Sequence, residues 1–220
     1  MNRCRPHIII EAGVEHVLGE LKQRHVLYDF EKIVTYLDVK GKLVFGDQFQ
    51  IRDDDREILF KLCNYYIREE ENCKKLNIDL NKGILLSGPV GCGKTSLMKL
   101  LRHIVPNQKY YEVIPSRNIV FAFNHIGYKI IEDYGDKSFY CFDDLGVEPM
   151  GSHFGQECHV LGEILLSRYD LLLKHKIKTH ATTNLNAKEL EERYGSRVRS
   201  RMRELFNLIA FDKNSKDKRV

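Results

Sequence analysis

The chain has 220 residues, of which 43% are hydrophobic, and a formal net charge of +4 at pH 7. This length suits one α/β domain with an appendage, or two small domains. No apolar run reaches the ~18 residues that span a membrane, and the run at residues 8–10 is too short for a signal peptide. We therefore expect a cytoplasmic protein without a membrane segment. The six cysteines are scattered without a C-x-x-C pair, which disfavours both a disulfide framework and a zinc site.

Residues 1–48 are predicted to form a small helical appendage. Segments 12–25 and 28–37 both have helical patterns, and the apolar residues of the first would share one stripe: Val14, Val17, Leu18 and Leu21. Residues 42–45, between two glycines, suggest a short strand or turn. The appendage either contacts a partner or packs as a cap on a core domain that begins at residue 49.

The next predicted helix begins at Asp53-Asp54-Asp55 and continues to about Lys75. The three aspartates would cap the helix and place negative charge in its first turn. Apolar residues recur through it at helical spacing, so one of its faces should be buried.

Residues 83–96, GILLSGPVGCGKTS, contain the clearest motif of the chain, G-x-x-x-x-G-K-[ST]. A strand pattern precedes the glycines and a helix pattern follows them, so backbone N–H groups and the positive helix end would meet at one point. This arrangement binds phosphate, whereas a chance glycine-rich turn would lack the flanking elements. Lys94 would reach the β- and γ-phosphates of ATP, and the Thr95 hydroxyl would bind Mg²⁺. The predicted nucleotide-binding residues are Gly88, Pro89, Val90, Gly91, Cys92, Gly93, Lys94, Thr95 and Ser96.

A second motif follows a predicted strand at 109–114 and an amphipathic helix at 116–134. Residues 138–146, SFYCFDDLG, read as an apolar strand that ends in two carboxylates. Asp143 would hold Mg²⁺ and Asp144 would polarise the attacking water, as in a Walker B element. The alternative is a strand that simply runs into an acidic turn.

A helix at 156–175 and a strand at 177–183 lead to Asn184. This amide would orient the lytic water or sense the γ-phosphate, unless it only forms a turn. A short acidic helix at 187–194 precedes four arginines at alternating positions, of which Arg197 and Arg201 share a helical face. Residues 193–220 carry nine Lys or Arg against three Asp or Glu, which suits a nucleic-acid partner or a solvated surface. A final strand at 207–211 and a polar, mobile tail at 212–220 are predicted.

Together these motifs resemble an AAA+ ATPase of the DnaC/IstB-like family of helicase loaders and transposition helpers. The resemblance covers about residues 49–220 and rests on GPVGCGKT (88–95), FYCFDDLG (139–146), HATTNL (180–185) and YGSRVRSRM (194–202). It implies a three-layer α/β P-loop NTPase fold (AAA+/ASCE) with a five-stranded parallel sheet. In that sheet the sensor strand lies between the Walker A and Walker B strands.

The same resemblance implies ATP and Mg²⁺ bound at the subunit boundary of a homo-oligomer, with an arginine finger supplied by the neighbour. The helix predicted at 116–134 resembles the one with which initiators and loaders grip single-stranded DNA. The implied roles are Walker A for Lys94 and Thr95, Walker B for Asp143 and Asp144, sensor 1 for Asn184, and arginine finger for Arg201, with Arg197 as runner-up.

The sequence departs from the family pattern at three places. The second Walker B acid is Asp144, where most AAA+ proteins have the longer Glu, so slow hydrolysis is expected. The usual helical lid is missing, which leaves Arg219 as a weak candidate for a sensor-2 residue. We identify no helicase- or transposase-binding module in residues 1–48, the segment that would choose the partner.

The sequence therefore predicts a DNA-replication ATPase most like a helicase loader, which binds a replicative helicase and DNA, single-stranded in preference. Three alternatives remain open. They are a transposition helper that prefers duplex DNA and a transposase, a non-hydrolysing ATP switch, and a small-molecule P-loop kinase.

Overall fold

The computed structural model describes residues 5–23, 25–106 and 110–219. Contacts between residues divide the chain into two compact units. Unit 1 comprises residues 1–80 and 96–110, and unit 2 comprises residues 81–95 and 111–220. The segment from 49 to 80 groups with the N-terminal residues, so the division does not coincide with the predicted boundary after residue 48. A separate partner-binding appendage over 1–48 stays a prediction.

Unit 1 begins with two antiparallel hairpins. Their strands are β1 (Ile8–Glu11) with β2 (Val14–Val17), and β3 (Gly19–Lys22) with β4 (His25–Tyr28). Ala12 and Gly13 have φ angles of 48° and 81°, and two consecutive residues of positive φ form a tight hairpin turn that no helix contains. The predicted helix over 12–25 is therefore wrong. Most of its supposed buried stripe is exposed: Val14, Val17 and Leu21.

Helix α1 (Phe30–Phe45) follows the hairpins. The Asp29 carboxylate caps it by accepting hydrogen bonds from the backbone N–H groups of Glu31 (2.9 Å) and Lys32 (3.2 Å). The strand or turn predicted at 42–45 is wrong, because these residues complete the helix. Gly41 also lies within the helix, and a side chain at this position would overlap the Phe49 ring.

The single helix predicted from residue 53 to about 75 is divided in two. A 3₁₀ turn (Asp53–Asp55) leads into α2 (Arg56–Ile67), and α3 (Glu70–Lys75) follows. Arg68 interrupts them with a φ of 59°. The predicted cap is present in part, because the Asp55 carboxylate accepts a hydrogen bond from the Arg52 N–H at 3.0 Å.

Unit 2 is built on a five-stranded parallel sheet. Its elements, with α4 beginning in this unit and continuing in unit 1, are β5 (Gly83–Ser87), α4 (Lys94–Leu101), β6 (Glu112–Pro115), α5 (Ser116–Ile126), α6 (Lys129–Tyr134), β7 (Tyr140–Asp143), β8 (Gly151–His153), β9 (Gln156–Cys158), α7 (Val160–His175), β10 (His180–Thr183), α8 (Ala187–Leu205) and β11 (Phe206–Ala210). The strand order is β11-β5-β10-β7-β6, and every pair is parallel. The predicted sheet is confirmed, including the place of β10 between β5 and β7.

Helices α5 to α8 bury one core against this sheet. Its fully buried members include Phe123, Phe142, Leu161, Ile164 and Leu205. No helix in the described ranges is both long and apolar enough to cross a bilayer.

Glycines interrupt two helices of this unit. Gly127, with a φ of 83°, ends α5 and separates it from α6, so the helix predicted at 116–134 is two helices. Gly195, with a φ of 81°, kinks α8 between the acidic and the basic segment. The helix predicted from residue 156 begins later, because residues 156–158 pair with 151–153 in a hairpin.

A buried arginine fixes the entry into β7. Arg168 of α7 is fully buried, and its guanidinium donates to the Thr179 hydroxyl (2.7 Å) and to the carbonyl oxygens of Asp136 (2.6 Å) and Ser138 (2.9 Å). Burial lowers its pKa to about 10, so it remains charged at neutral pH. These bonds tie the segment before β7 to the segment before β10.

Candidate functional site

The phosphate loop joins β5 to α4 and contains two residues that need positive φ. Gly91 and Gly93 have φ angles of 79° and 101°, which glycine adopts without steric cost. Cys92 between them is fully buried, while Val90 is exposed. Gly88 and Pro89 begin the loop, and Ser96 lies in the first turn of α4. The loop therefore has the strand–turn–helix form that the sequence predicts for a phosphate cradle.

Lys94 is folded back onto its own loop. Its side chain is only 5% exposed, and Nζ donates hydrogen bonds of 2.8 Å to the carbonyl oxygens of both Gly88 and Pro89. These bonds hold the ammonium group at the mouth of the loop. A bound polyphosphate would offer it charged oxygens in exchange for neutral carbonyls, and charged acceptors form the stronger hydrogen bonds.

Thr95 and Asp143 meet as the sequence predicts. The Thr95 hydroxyl donates to the Asp143 carboxylate, with distances of 2.8 Å to Oδ1 and 3.1 Å to Oδ2. A second hydroxyl, from Thr182 at the end of β10, donates to Oδ1 of the same carboxylate at 2.6 Å. The start of α4 and the ends of β7 and β10 thus converge on one carboxylate.

The contact of Thr182 with Asp143 was not predicted from the sequence. Thr182 and Thr183 are polar residues at the end of a strand whose residues are all buried in the structure. Thr182 also accepts a hydrogen bond from the backbone N–H of Asp144 at 2.9 Å. One hydroxyl therefore contacts both Asp143 and Asp144.

Asp144 has a strained backbone and a perturbed side chain. Its φ of 55° is unusual for a residue other than glycine. Burial and the neighbouring Asp143 carboxylate raise its pKa, while Lys94 and Arg219 partly oppose this effect. Backbone strain of this kind is retained where surrounding contacts enforce it, and it is frequent at functional sites.

Asn184 follows β10, between the strands that carry the phosphate loop and Asp143. Its side-chain Oδ1 is buried and has no hydrogen-bond partner within the described residues. A buried acceptor without a partner is costly, so this amide is available for a water molecule or a ligand.

The candidate arginine fingers lie apart from this cluster, on the basic half of α8. The Arg201 guanidinium stacks 4.5 Å from the centre of the Tyr169 ring, and Nη1 lies 3.4 Å from Oε1 of Glu204. Its side chain is 41% exposed, and Arg197 is exposed as well. Within the described part of the chain, neither shares a hydrogen bond or ion pair with the Lys94–Asp143 cluster.

The C-terminal segment lies against the phosphate loop, although the sequence predicted a mobile tail. The backbone N–H of Lys218 donates to the Gly91 carbonyl at 3.0 Å. The Asp217 carboxylate occupies the space that a side chain at Gly91 would need, and it accepts a hydrogen bond from the Arg219 N–H at 2.9 Å. Arg219, the weak sensor-2 candidate, is close enough to influence Asp144. No helical lid occurs among described residues 211–219.

The donor set at Thr95 and Asp143 fits Mg²⁺. A hydroxyl and one carboxylate are hard oxygen ligands, and Mg²⁺ usually combines one or two such ligands with water and substrate phosphates. No cluster of three or more His, Cys, Asp and Glu arranged for a metal is found in the described ranges. The side chains thus suit a metal that arrives with a nucleotide.

Replacing Thr182 with valine should weaken Mg²⁺ binding at Asp143 while leaving the fold intact. The hydroxyl that positions Asp143 and Asp144 would be lost, and loss of such a supporting bond typically costs 10–100-fold in metal affinity or activity. We expect the Mg²⁺ concentration for half-maximal nucleotide binding to rise about tenfold. Thr182→Ser retains the hydroxyl and should behave as wild type. An unchanged Mg²⁺ requirement in Thr182→Val would contradict this role.

Replacing Asp144 with asparagine should raise Tm at neutral pH. Because the folded-state pKa lies above the ordinary value of 3.8, the ionised carboxylate destabilises the folded protein, and asparagine removes that cost. The gain in Tm should shrink as pH falls through the raised pKa. In that range Asp144 becomes protonated in the folded protein, and a neutral Asp144 no longer carries the cost that asparagine removes. Calorimetry from neutral to acidic pH measures this difference. If the Tm difference between Asp144→Asn and wild type grew on acidification, the prediction would be wrong.

Solved structures with the same fold were found by comparison of the coordinates. The crystal structure of the DnaC helicase loader is 20% identical, with a TM-score of 0.54 over 76% of this chain and 95% of that chain. DnaI is also 20% identical, with a TM-score of 0.52 over 74% and 88%. AMPPCP-bound DnaA from Aquifex aeolicus is 17% identical, with a TM-score of 0.51 over 76% of this chain and 50% of that chain. No protein-family model and no curated protein matches the sequence.

The fold of the chain is that of the AAA+ P-loop ATPases. Sheet order, phosphate loop and the paired Thr95 and Asp143 all agree with this class. The structures of DnaC, DnaI and DnaA share this fold.

Proposed function

We propose that this chain binds ATP with Mg²⁺ and hydrolyses it slowly in the service of DNA replication, as a helicase loader. The observation that carries the proposal is the convergence of the Thr95 and Thr182 hydroxyls on Asp143 beside the phosphate loop. Lys94 and the loop N–H groups bind the phosphates, Thr95 and Asp143 bind Mg²⁺, and Asp144 polarises water. Asn184 orients that water or senses the γ-phosphate with its free Oδ1.

In the proposed assembly, the site is completed by a second copy of the chain. Arg201 is half exposed and preoriented by Tyr169 and Glu204, and it has no anionic partner within its own Lys94–Asp143 cluster. A guanidinium held in this way suits the γ-phosphate of a neighbour. Arg197 is the second choice. ATP binding would thereby favour a homo-oligomer.

The proposed macromolecular partners are DNA and a replicative helicase. The excess of positive charge at residues 193–220 suits a phosphate backbone, and single-stranded DNA is preferred over duplex. Residues 1–48 would select the helicase. The protein would act in the cytoplasm.

A second candidate function is an ATP switch without turnover. It is favoured by Asp144, which is shorter than the usual Glu, has a strained φ of 55° and a raised pKa. In this case ATP binding alone would assemble the subunits, and release would depend on nucleotide exchange.

A multiple-turnover ATPase assay across protein concentrations, with and without single-stranded DNA, tests the proposal. We expect the rate per subunit to rise steeply with concentration and to change on addition of DNA. Bound ATP without phosphate release would favour the switch. Preference for duplex DNA and a transposase would indicate a transposition helper, and phosphorylation of nucleosides would indicate a kinase.

A further inference from the structure

The hairpin formed by β8 and β9 presents one aromatic ring to solvent. Phe154, at its tip, is 95% exposed. Exposure of an apolar ring to water is unfavourable. Large exposed apolar groups commonly mark interaction sites.

The backbone at this tip is unfavourable as well. Phe154 and Gly155 have φ angles of 48° and 79°, the pattern of a tight hairpin turn whose first position favours Asn, Asp or Gly. A bulky aromatic residue at positive φ is uncommon. Phe154 is therefore disfavoured both by its exposure and by its backbone, and neither cost serves the packing of the fold.

The hairpin is firmly attached to α5, so the exposure of Phe154 is not due to a frayed loop. The Ser152 N–H donates to Asn124 Oδ1 at 2.7 Å, and Nδ1 of His153 lies 3.2 Å from the Asn124 carbonyl oxygen. A side chain at Gly127 would overlap the His153 ring, and one at Gly151 would overlap buried side chains of the core. The residues before the tip are thus anchored on α5.

The surroundings of the ring are polar. His153 packs against Phe154 with 4.4 Å between ring centres, and Gln156 lies within 3.4 Å of the Tyr128 hydroxyl. Residues 152–156 contain no acidic side chain. A flat ring among amide, imidazole and hydroxyl groups fits a nucleobase, which has an apolar face and a polar edge.

A short segment connects the hairpin to the ATP site. Residues 145–150 run from Asp144 to β8, and buried Glu148 fixes them by accepting hydrogen bonds from the Gly146 N–H (2.8 Å) and from the Tyr194 hydroxyl (2.5 Å). A ligand at the tip would therefore lie on the element that follows the Walker B acids directly.

We propose that Phe154 is a stacking platform for one base of single-stranded nucleic acid. This inference rests on the proposed DNA-binding function and adds a specific contact to it. The β8–β9 hairpin supplies the ring, and the polar groups beside it hydrogen-bond the edge of the base.

Anisotropy of a fluorescein-labelled oligothymidylate tests the contribution to affinity. Replacing a stacking aromatic residue with alanine usually causes a substantial loss of nucleic-acid affinity. Phe154→Ala should therefore weaken binding of the oligonucleotide about tenfold. Leu173→Ala, at a 51% exposed site on α7, is the control and should bind like wild type. All variants should retain wild-type affinity for a fluorescent ATP analogue, which shows that unit 2 is folded.

Fluorescence provides a direct readout, because the chain contains no tryptophan. Phe154→Trp places a single indole at the tip, and stacking with a base should quench its emission on titration with the oligonucleotide. The indole of Leu173→Trp should not respond.

Two results would overturn the inference while leaving DNA binding intact. They are wild-type affinity in Phe154→Ala, or unchanged emission of Phe154→Trp when the oligonucleotide is bound. A loss of self-association in Phe154→Ala, with unchanged DNA affinity, would instead identify the tip as a contact between copies. If the wild-type protein binds no oligonucleotide, the proposed function fails together with this inference.

Discussion

Replacing Lys94 with alanine is expected to abolish nucleotide binding at ordinary concentrations. Hydrogen bonds to charged groups contribute about 1.5–3 kcal/mol each, and Lys94 would make more than one to the β- and γ-phosphates. We therefore expect affinity for ATP to fall by roughly a hundredfold or more. Equilibrium titration with a fluorescent ATP analogue measures the change.

The structure supplies the control for this experiment. Lys94 donates hydrogen bonds to the carbonyl oxygens of Gly88 and Pro89, so its loss also removes two bonds within the loop. Tm should be measured for Lys94→Ala and for Lys99→Ala, which changes a lysine one turn further along α4. If Lys99→Ala binds ATP normally while Lys94→Ala does not, a general effect of charge is excluded. Normal binding by Lys94→Ala would refute the assignment of the phosphate loop.

Replacing Arg201 with alanine should leave nucleotide affinity unchanged and lower turnover by about 10³–10⁵-fold, the range known for an arginine supplied by a neighbouring subunit. The reason is that Arg201 is bound to Tyr169 and Glu204, apart from its own phosphate loop. Phosphate release should therefore be measured together with nucleotide affinity. Arg203→Ala, at an exposed position on the same helix, is the matched control.

Mixing two inactive variants provides the sharper test of a shared site. Arg201→Ala retains Asp144, and Asp144→Asn retains Arg201, so a mixed assembly contains complete sites at alternate boundaries. Activity should reappear on mixing. If no activity returns, Arg201 does not act on a neighbour's nucleotide, and Arg197→Ala should then be examined in the same way.

The central features of the site were predictable because they depend on local sequence. The phosphate loop and Asp143 follow from short motifs whose chemistry requires particular residues at fixed spacing, whereas the position of β10 was implied by the family resemblance. The structure adds the contacts that join distant parts of the chain, such as Thr95 with Asp143. The roles of Asp144, Asn184, Arg197 and Arg201 in hydrolysis stay predictions.

Other features depended on tertiary context. The apolar spacing of residues 14–21 fits a helix, but Ala12-Gly13 forms a hairpin turn instead. Thr182 reads as an ordinary strand residue until β7 is placed beside β10. In the same way, the register of 151–153 with 156–158 cannot be inferred from a helical pattern that begins nearby.

The contact between the Lys218 backbone and Gly91 has a practical consequence. Residues 212–219 contain several trypsin cleavage sites, and their accessibility depends on whether the segment rests on the loop. Digestion patterns with and without ATP would thus serve as an intrinsic footprint of loop occupancy. For the same reason, an affinity tag placed directly after this segment would crowd the entrance for the nucleotide, and an N-terminal tag is the safer choice.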